Sequence, residues 1–233
     1  MAGRLIVALD LPTTADAVHL ARRLRHVVQT VKIGSALFTR SGPEAVRRLR
    51  ALGFNVMLDL KFFDIPSTVE QSVRAATHHR VTMLTVHAEG GHAMLRAAVK
   101  AAHTEAARLR IRPPLVLGVT VLTSSGTGHP TRVATRVLRL AREAARAGCD
   151  GVVASAQEAA LIRRRLGARL KIFCPAIRPA GVPRGDQARV ASPREALVAG
   201  ADGLIVGRPI TAAADPVRAA RRILTDMGAS ACP

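Results

Sequence analysis

The chain has 233 residues, of which 48% are hydrophobic and 2% aromatic, and its formal net charge is +19. This length and apolar content predict one large domain or two small ones with an aliphatic core, and they exclude intrinsic disorder. Five Phe, with no Trp or Tyr, are too few for a protein that stacks nucleic-acid bases on aromatic side chains.

The positive charge comes almost entirely from arginine. Of the 35 basic residues 31 are Arg, and the four lysines are Lys32, Lys61, Lys100 and Lys171. Because Arg serves wherever a fixed charge is enough, a retained Lys indicates a site that must release a proton. A net charge of +19 favours the binding of polyanions, but the Arg residues are spread along the chain and form no basic tail. We therefore expect no specific nucleic-acid partner.

Cysteine usage and apolar runs indicate the compartment. Cys149, Cys174 and Cys232 show no CxxC spacing, so the sequence supports neither a zinc site nor a disulfide framework. A reducing, cytoplasmic location fits best. The apolar run Leu5–Leu9 is too short for a signal peptide, and no later stretch approaches the ~20 apolar residues of a spanning helix, so we expect no membrane contact.

Short apolar runs alternate with stretches of helical periodicity along the whole chain. The runs are continuously apolar, as strands buried on both faces are. They comprise Leu5–Asp10, Val31–Gly34, Asn55–Lys61, Met83–Ala88, Leu115–Leu122, Gly151–Ser155, Lys171–Ala176 and Gly203–Arg208. The main helix candidates are Thr14–Arg25, Pro43–Leu52, Ser67–His78, Ala93–Leu109, Thr131–Ala147, Ala156–Leu166, Pro193–Ala199 and Pro216–Met227.

A sequence pattern that occurs twice supports this alternation of strands and helices. The segment Arg142–Val153 resembles Arg194–Ile205, 52 residues later, and each reads as a helix end, a Gly turn and a buried strand. Eight such units with a parallel sheet predict a (β/α)₈ TIM barrel, as one domain over residues 1–233. A doubly wound open sheet is the alternative, but eight strands and no GxGxxG after the first strand weigh against it.

Polar residues at the carboxyl ends of barrel strands are the functional candidates. A charged residue at the end of a buried strand is costly unless it is paired, so we expect these residues to pair around a shared mouth. They are Asp10, Lys32, Asp59, Lys61, Asp64, His87, Thr123, Ser124, Ser155, Arg178 and Arg208.

The densest cluster follows the third strand. Strand period two puts Asp59 and Lys61 on one face, pointing into the barrel, and Asp64 lies just past the strand, before a helix that Ser67 can cap. Flanking carboxylates keep a lysine cationic, although burial opposes this, and a cationic lysine held in place is a proton donor. The alternative interpretation is an ordinary interior salt bridge.

A second cluster follows the last two strands, where this fold usually binds phosphate. The backbone N–H of Gly207 and the guanidinium of Arg208 suit a phosphate dianion. The loop Arg178–Val190 is long enough to fold over a ligand as a lid. A solvated turn is the alternative for this loop.

Seven motifs in register resemble the orotidine 5′-phosphate decarboxylase family of bacterial type. The catalytic motif of that family resembles Asp59–Thr68, and the match runs from about residue 4 to residue 224. The other matching segments are Val7–Asp10, Val31–Gly34, Val86–Ala88, Gly118–Ser124, Ile177–Gln187 and Val206–Ile210.

This resemblance implies decarboxylation of orotidine 5′-monophosphate to uridine 5′-monophosphate, the last step of de novo pyrimidine synthesis, with no metal or organic cofactor. It implies that Lys61 protonates C6 and that Asp59 lies against the departing carboxylate. Lys32 and Asp64 would complete the charged array on the ribose hydroxyls. It further implies a homodimer in which Asp64 and Thr68 are supplied across the interface.

The resemblance also implies the remaining substrate contacts. They are Asp10 for ribose or base, Thr123 and Ser124 for the base, Arg178, Gln187, Gly207 and Arg208 for the phosphate, and Ile65 as a further substrate contact. The family usually has His, Asn and Gly where this chain has Phe63, Ser67 and Ala176. We expect the loop backbone at Ala176 to differ slightly.

Two other functions compete with this one. Hexulose-phosphate synthases and ketogulonate-phosphate decarboxylases share the Asp59, Lys61 and Asp64 pattern and form enediolates with Mg²⁺. They usually carry an acidic residue where this chain has Lys32, and a cation there opposes Mg²⁺ binding. A polyanion-binding protein without catalysis is the other possibility, and the intact charged array argues against it.

Overall fold

The computed structural model describes residues 2–124, 129–179 and 189–228. In these ranges eight parallel strands close into a barrel in sequence order, with the last strand hydrogen-bonded to the first. The strands are β1 (Leu5–Ala8), β2 (Thr30–Gly34), β3 (Asn55–Phe62), β4 (Met83–His87), β5 (Leu115–Val119), β6 (Gly151–Val153), β7 (Lys171–Cys174) and β8 (Gly203–Val206). The predicted (β/α)₈ barrel is confirmed, and an open doubly wound sheet is excluded.

Helices pack around the barrel between the strands. They are α1 (Thr14–Leu24), α2 (Ser35–Ser41), α3 (Pro43–Ala51), α4 (Pro66–His78), α5 (Gly91–Arg108), α6 (Pro130–Arg146), α7 (Ala156–Leu166), α8 (Pro193–Val198), α9 (Arg208–Thr211) and α10 (Pro216–Asp226), with 3₁₀ turns at Ala2–Arg4 and Ala88–Gly90. The sequence patterns missed α2 and α9. These two helices have 7 and 4 residues, too few to show a periodicity.

Six strands stop one to three residues earlier than the apolar runs predicted, whereas β2 ends at Gly34 as predicted and β3 extends to Phe62. β1 ends at Ala8, whose ladder partner is Lys32, and β5 ends at Val119, which pairs with Val153 of β6. Beyond these pairs the chain leaves the barrel wall. Asp10, Thr123, Ser124 and Arg178 therefore lie beyond their strands, whereas Lys32, Asp59 and Lys61 lie within β2 and β3.

The start of α4 also differs from the prediction. Ile65 occupies the N-cap position and Pro66 is the first helical residue, so Ser67 lies inside the first turn and does not cap the helix. Proline fixes the helical backbone angle and has no N–H to satisfy, which allows the helix to begin one residue early.

Successive side chains of each strand point alternately into two apolar layers, one inside the barrel and one between the barrel and the helices. Inward-facing side chains form a small cluster inside the barrel, comprising Ile6, Ala8, Met57, Met83, Leu117, Phe173 and Ile205. Outward-facing side chains such as Val7, Val31 and Leu58 pack against the helices in a larger aliphatic core. Each large side chain buried there stabilises the fold by about 1.5–3 kcal/mol. By the same alternation, polar side chains point inward at the carboxyl ends of the strands, where the apolar interior ends.

The two similar segments that lie 52 residues apart in sequence also have the same local structure. Gly148 and Gly200 both take positive φ, 88° and 99°, in the turns that lead into β6 and β8. None of the helices in the described ranges combines the length and apolar character needed to cross a bilayer.

Candidate active site

A cavity of about 540 Å³ opens at the carboxyl ends of the strands. Ala8 and Ile205 of the barrel interior contribute to its lining. Its polar lining comprises Asp10, Lys32, Asp59, Lys61, Thr123, Ser124, Arg178, Gly207, Arg208 and Thr211. The prediction that the polar strand-end residues share one mouth is confirmed for eight of them; Gly207 belongs to the predicted phosphate cluster, and Thr211 was not predicted.

Four charged side chains form an alternating row along this cavity. The Lys32 Nζ atom lies 3.0 Å from Asp10 Oδ1 and 3.3 Å from Asp59 Oδ2. The Lys61 Nζ atom also lies 3.0 Å from Asp59 Oδ2. One carboxylate oxygen of Asp59 is thus held between two ammonium groups, with Lys32 and Asp59 buried and Asp10 half exposed.

Two opposing effects set the charge state of Asp59. Burial alone would raise the pKa of its carboxyl group. The positive charges of Lys32 and Lys61, with hydrogen bonds from Lys61 and Thr85, outweigh burial and hold this pKa below its usual value. Asp59 is therefore a carboxylate at neutral pH, in contact with both lysines.

An irregularity in β3 presents Lys61 to the cavity. The pairing of β3 with β4 shifts register between Leu58 and Phe62, and Lys61 takes a left-handed φ of 51°. The Lys61 N–H donates to Thr85 Oγ1 over 2.9 Å, and this hydroxyl donates to Asp59 Oδ1, also over 2.9 Å. Asp59 and Lys61 both reach the cavity, as predicted, but a bulge rather than a regular strand places the lysine.

Two residues that position this row escaped the sequence analysis. A Cβ atom at Gly34 would lie 2.6 Å from Asp10 Oδ1 and 3.2 Å from Lys32 Nζ, so only glycine leaves room for their contact. Thr85 is fully buried on β4. The signal that could have found it is a hydroxyl residue inside an otherwise apolar run.

Five of the described residues that were predicted for the site lie outside the cavity lining of their own chain: His87, Ser155, Asp64, Ile65 and Thr68. Ser155 is buried and caps α7, where its hydroxyl accepts a hydrogen bond from the Gln157 N–H. Asp64, Ile65 and Thr68 are exposed, and none is among the described residues that line the cavity. The Asp64 carboxylate accepts a hydrogen bond of 2.6 Å from the Ile65 N–H. Within a single chain the expectation that Asp64 flanks Lys61 is therefore wrong, because Asp64 is exposed outside the cavity and the carboxylate beside Lys61 is that of Asp59. The outer carboxylate of the row is Asp10.

A buried ion pair supports the loop that carries Thr123 and Ser124. Arg189 Nη1 donates to Glu158 Oε1 over 2.7 Å, and Nη2 donates to the carbonyls of Val121 and Leu122 over 3.1 and 3.0 Å. Burial raises the pKa of Glu158 against the opposing charge of Arg189. The sequence analysis missed this pair, since contacts this distant in sequence leave no local pattern.

The predicted lid, Arg178–Val190, is described only at its two ends. Arg178 lines the cavity and donates to the Ile177 carbonyl over 3.0 Å. Gln187, a predicted phosphate contact, lies outside the described residues.

Comparisons with known proteins agree with this geometry. Residues 3–223 match the sequence profile of the Orotidine 5′-phosphate decarboxylase / HUMPS family. The chain belongs to this family. Two proteins named orotidine 5′-phosphate decarboxylase, from Halorhodospira halophila and Syntrophotalea carbinolica, are 48% and 47% identical to it. The alignments cover 97% of this chain in both cases, and 97% and 96% of the relatives.

A solved structure supports the same assignment. The crystal structure of orotidine 5′-phosphate decarboxylase from Lactobacillus acidophilus superposes with a TM-score of 0.82 at 32% sequence identity. The match covers 97% of this chain and 99% of that one. Membership of the orotidine 5′-phosphate decarboxylase / HUMPS family thus extends over nearly the whole barrel.

The departures from the family pattern have local structural outcomes. Phe63 is 61% exposed and stacks on His87, with ring centroids 5.3 Å apart. Burial lowers the pKa of His87 against the opposing charge of Glu89. Ala176 takes a φ of 59°, in the left-handed region that favours the glycine usual in the family at this position.

Proposed function

We propose that this protein decarboxylates orotidine 5′-monophosphate to uridine 5′-monophosphate, the last step of de novo pyrimidine synthesis, without a metal or organic cofactor. The observation that carries the proposal is the position of Asp59 Oδ2, 3.3 Å from Lys32 Nζ and 3.0 Å from Lys61 Nζ. The names of the relatives that are 48% and 47% identical support the same reaction.

The cavity suits a nucleotide in size and in the distribution of its polar groups. Its volume of about 540 Å³ lies within the roughly 300–1,000 Å³ usual for small-ligand sites. Arg178 and Arg208 would bind the phosphate, and Thr123 and Ser124 the pyrimidine. The row that begins at Asp10 would then face the ribose and C6.

The chemistry follows from Asp59 and Lys61, which are neighbours in this row. The Asp59 carboxylate would lie against the substrate carboxylate, and the repulsion between them is relieved as CO₂ departs. The C6–carboxylate bond breaks and its electron pair stays on C6. Lys61 then gives a proton from Nζ to C6 and regains one from solvent. The adjacent ammonium charges stabilise the carbanion that develops between these steps.

The place of Lys32 favours the decarboxylase over the Mg²⁺-dependent relatives. Its ammonium group contacts both Asp10 and Asp59, the carboxylates that a divalent cation would need. Binding Mg²⁺ there would require displacing a buried, paired lysine. We therefore expect turnover to be independent of metal.

The exposed start of α4 supports the further proposal that two copies share their active sites. Asp64 and Thr68 are exposed and lie outside their own cavity, and Ile65 between them is 63% exposed. In a homodimer these residues would enter the cavity of the partner subunit.

We place the enzyme in the cytoplasm on its cysteine usage. Burial raises the pKa of Cys149 and Cys174 to about 12, which suits thiols that stay reduced.

The absorbance change of orotidine 5′-monophosphate tests the proposed reaction. The purified protein should convert it to uridine 5′-monophosphate at the same rate with and without excess EDTA. A Lys61→Ala variant is the matched control for contaminating activity. No conversion by folded wild-type protein would overturn the proposal. Loss of activity in EDTA, restored by Mg²⁺, would favour the enediolate-forming relatives.

A further inference from the structure

We infer that Thr85 is a positioning residue for this site: its hydroxyl fixes which oxygen of Asp59 faces the two lysines and holds the backbone that presents Lys61. The inference rests on the proposed function, because it concerns the same charged row. Thr85 does not line the cavity among the described residues, so it acts through Asp59 and Lys61.

The direction of the two hydrogen bonds at Thr85 is determined by chemistry. A backbone N–H can only donate, so the hydroxyl must accept the hydrogen bond from Lys61 N–H. Its single proton is then left for Asp59 Oδ1, 2.9 Å away. This contact occupies Oδ1 and leaves Oδ2 as the oxygen that meets Lys32 and Lys61.

The same hydroxyl supports an unusual backbone conformation. Lys61 takes a φ of 51°, which an L-residue rarely adopts, at a point where the β3–β4 pairing shifts register. Its N–H therefore bonds to a side chain of the neighbouring strand instead of a ladder carbonyl. Without the Thr85 hydroxyl this N–H would lose its partner, and the lysine would lose one restraint on its position.

A second threonine between the same strands shows that this role is not general. Thr82, just before β4, also directs its hydroxyl at β3, donating to the Val56 carbonyl over 3.1 Å. It lies at the opposite end of the strands from the cavity. Thr82→Val therefore removes a hydroxyl bond between the same two strands without touching the charged row.

Thr85→Val keeps the shape of the side chain and removes both hydrogen bonds. We expect kcat to fall about 10- to 100-fold, the factor that a hydrogen bond to a charged group is worth, with little change in KM. The acid limb of the kcat–pH profile should move to higher pH, because Asp59 loses a bond that favours its charged form. Thr85→Ser should restore both values, and Thr82→Val should change neither.

The pH readout is specific because the other charges around Asp59 are unchanged in the variant. Lys32 and Lys61 face it directly, Asp10 lies beyond Lys32, and His87 of β4 interacts electrostatically with Lys61. Carbon-13 NMR titration of the Asp59 carboxyl group measures the same shift without substrate. A raised Asp59 pKa in Thr85→Val is the expected result.

These measurements separate the inference from the proposed function. If wild-type protein fails to decarboxylate the nucleotide, the proposed function fails, and the NMR titration still tests Thr85. An unchanged pH profile and unchanged Asp59 pKa in Thr85→Val would overturn the inference. So would an equal loss of kcat in Thr85→Ser. If the valine variant does not fold, Thr85→Ala is measured against Thr85→Ser in the same way.

Discussion

At the scale of single residues, an exchange of lysine for arginine at position 61 separates charge from proton donation. Lys61→Arg keeps a cation next to Asp59, but a guanidinium group holds its proton to a pH above ~12 and cannot serve as the donor. We expect Lys61→Arg to lose nearly as much kcat as Lys61→Ala, measured by steady-state kinetics. Binding of a nucleotide inhibitor should change much less.

The chain offers a matched control for that exchange. Lys100 is exposed on α5, outside the cavity, so Lys100→Arg should leave kcat unchanged. A kcat close to that of wild type in Lys61→Arg would remove Lys61 from the proton-donor role and leave it an electrostatic one.

Arg208 should act mainly on binding. It lines the cavity at the start of α9, after β8, and would hold the phosphate. Arg208→Ala should therefore raise KM most, with a smaller loss of kcat because remote phosphate binding also stabilises the transition state. Arg221→Ala, which removes an exposed arginine of α10, is the control for general loss of positive charge. A loss confined to kcat would place Arg208 in the chemical step instead.

Which residues the sequence reveals depends on where they lie in their strands. Asp10 and Arg208 were predictable because polar residues that end apolar runs stand out, and Lys32 because it is a charged residue inside one. Motif resemblance assigned their roles. Gly34 and Thr85 were not, because their roles depend on close approach to other strands. The sequence around Gly34 does not show that the absence of a Cβ atom there leaves room for the Asp10 carboxylate.

At the scale of elements, continuous apolar runs located all eight strands of the barrel, since burial on both faces leaves a strong compositional signal. Their ends were less predictable. Val121 and Leu122 are apolar yet lie beyond β5, because their carbonyls bond to Arg189 rather than to a neighbouring strand. The short helices α2 and α9 could not be read from periodicity at all.

The Arg189–Glu158 pair should be important for stability. Both side chains are buried, and removing one partner of a buried ion pair leaves an uncompensated charge. We expect Arg189→Met to lower the free energy of unfolding by about 3–5 kcal/mol, measured by denaturant titration. It should also weaken nucleotide binding, because the Val121 and Leu122 carbonyls lose their donor.

Two variants test the cause of that loss. Arg74→Ala breaks a partly exposed pair with Glu70 on α4 and should cost no more than about 1 kcal/mol. Adding Glu158→Leu to Arg189→Met should recover part of the stability by removing the unpaired charge. A double variant less stable than Arg189→Met would show that packing, not charge, explains the loss.

At the scale of the whole molecule, the start of α4 determines how many chains make one active site. Exposed Phe63 and Ile65 flank Asp64 on a surface outside the cavity. If the sites are shared, an inactive Lys61→Ala chain still supplies Asp64 to its partner. An inactive Asp64→Ala chain likewise keeps an intact Lys61 in its own barrel. Mixing the two should therefore create complete sites in heterodimers.

The expected recovery follows from counting sites. Random exchange makes half of the dimers mixed, and each mixed dimer has one complete site, so about a quarter of the wild-type sites should return. The control mixes Lys61→Ala with Asp59→Asn. Each of these substitutions inactivates the cavity of the chain that carries it, so no mixed dimer has a complete site. Activity is measured after subunit exchange has been verified by native mass spectrometry. Equal activity in the two mixtures would show that Asp64 serves its own chain, and that each barrel works alone.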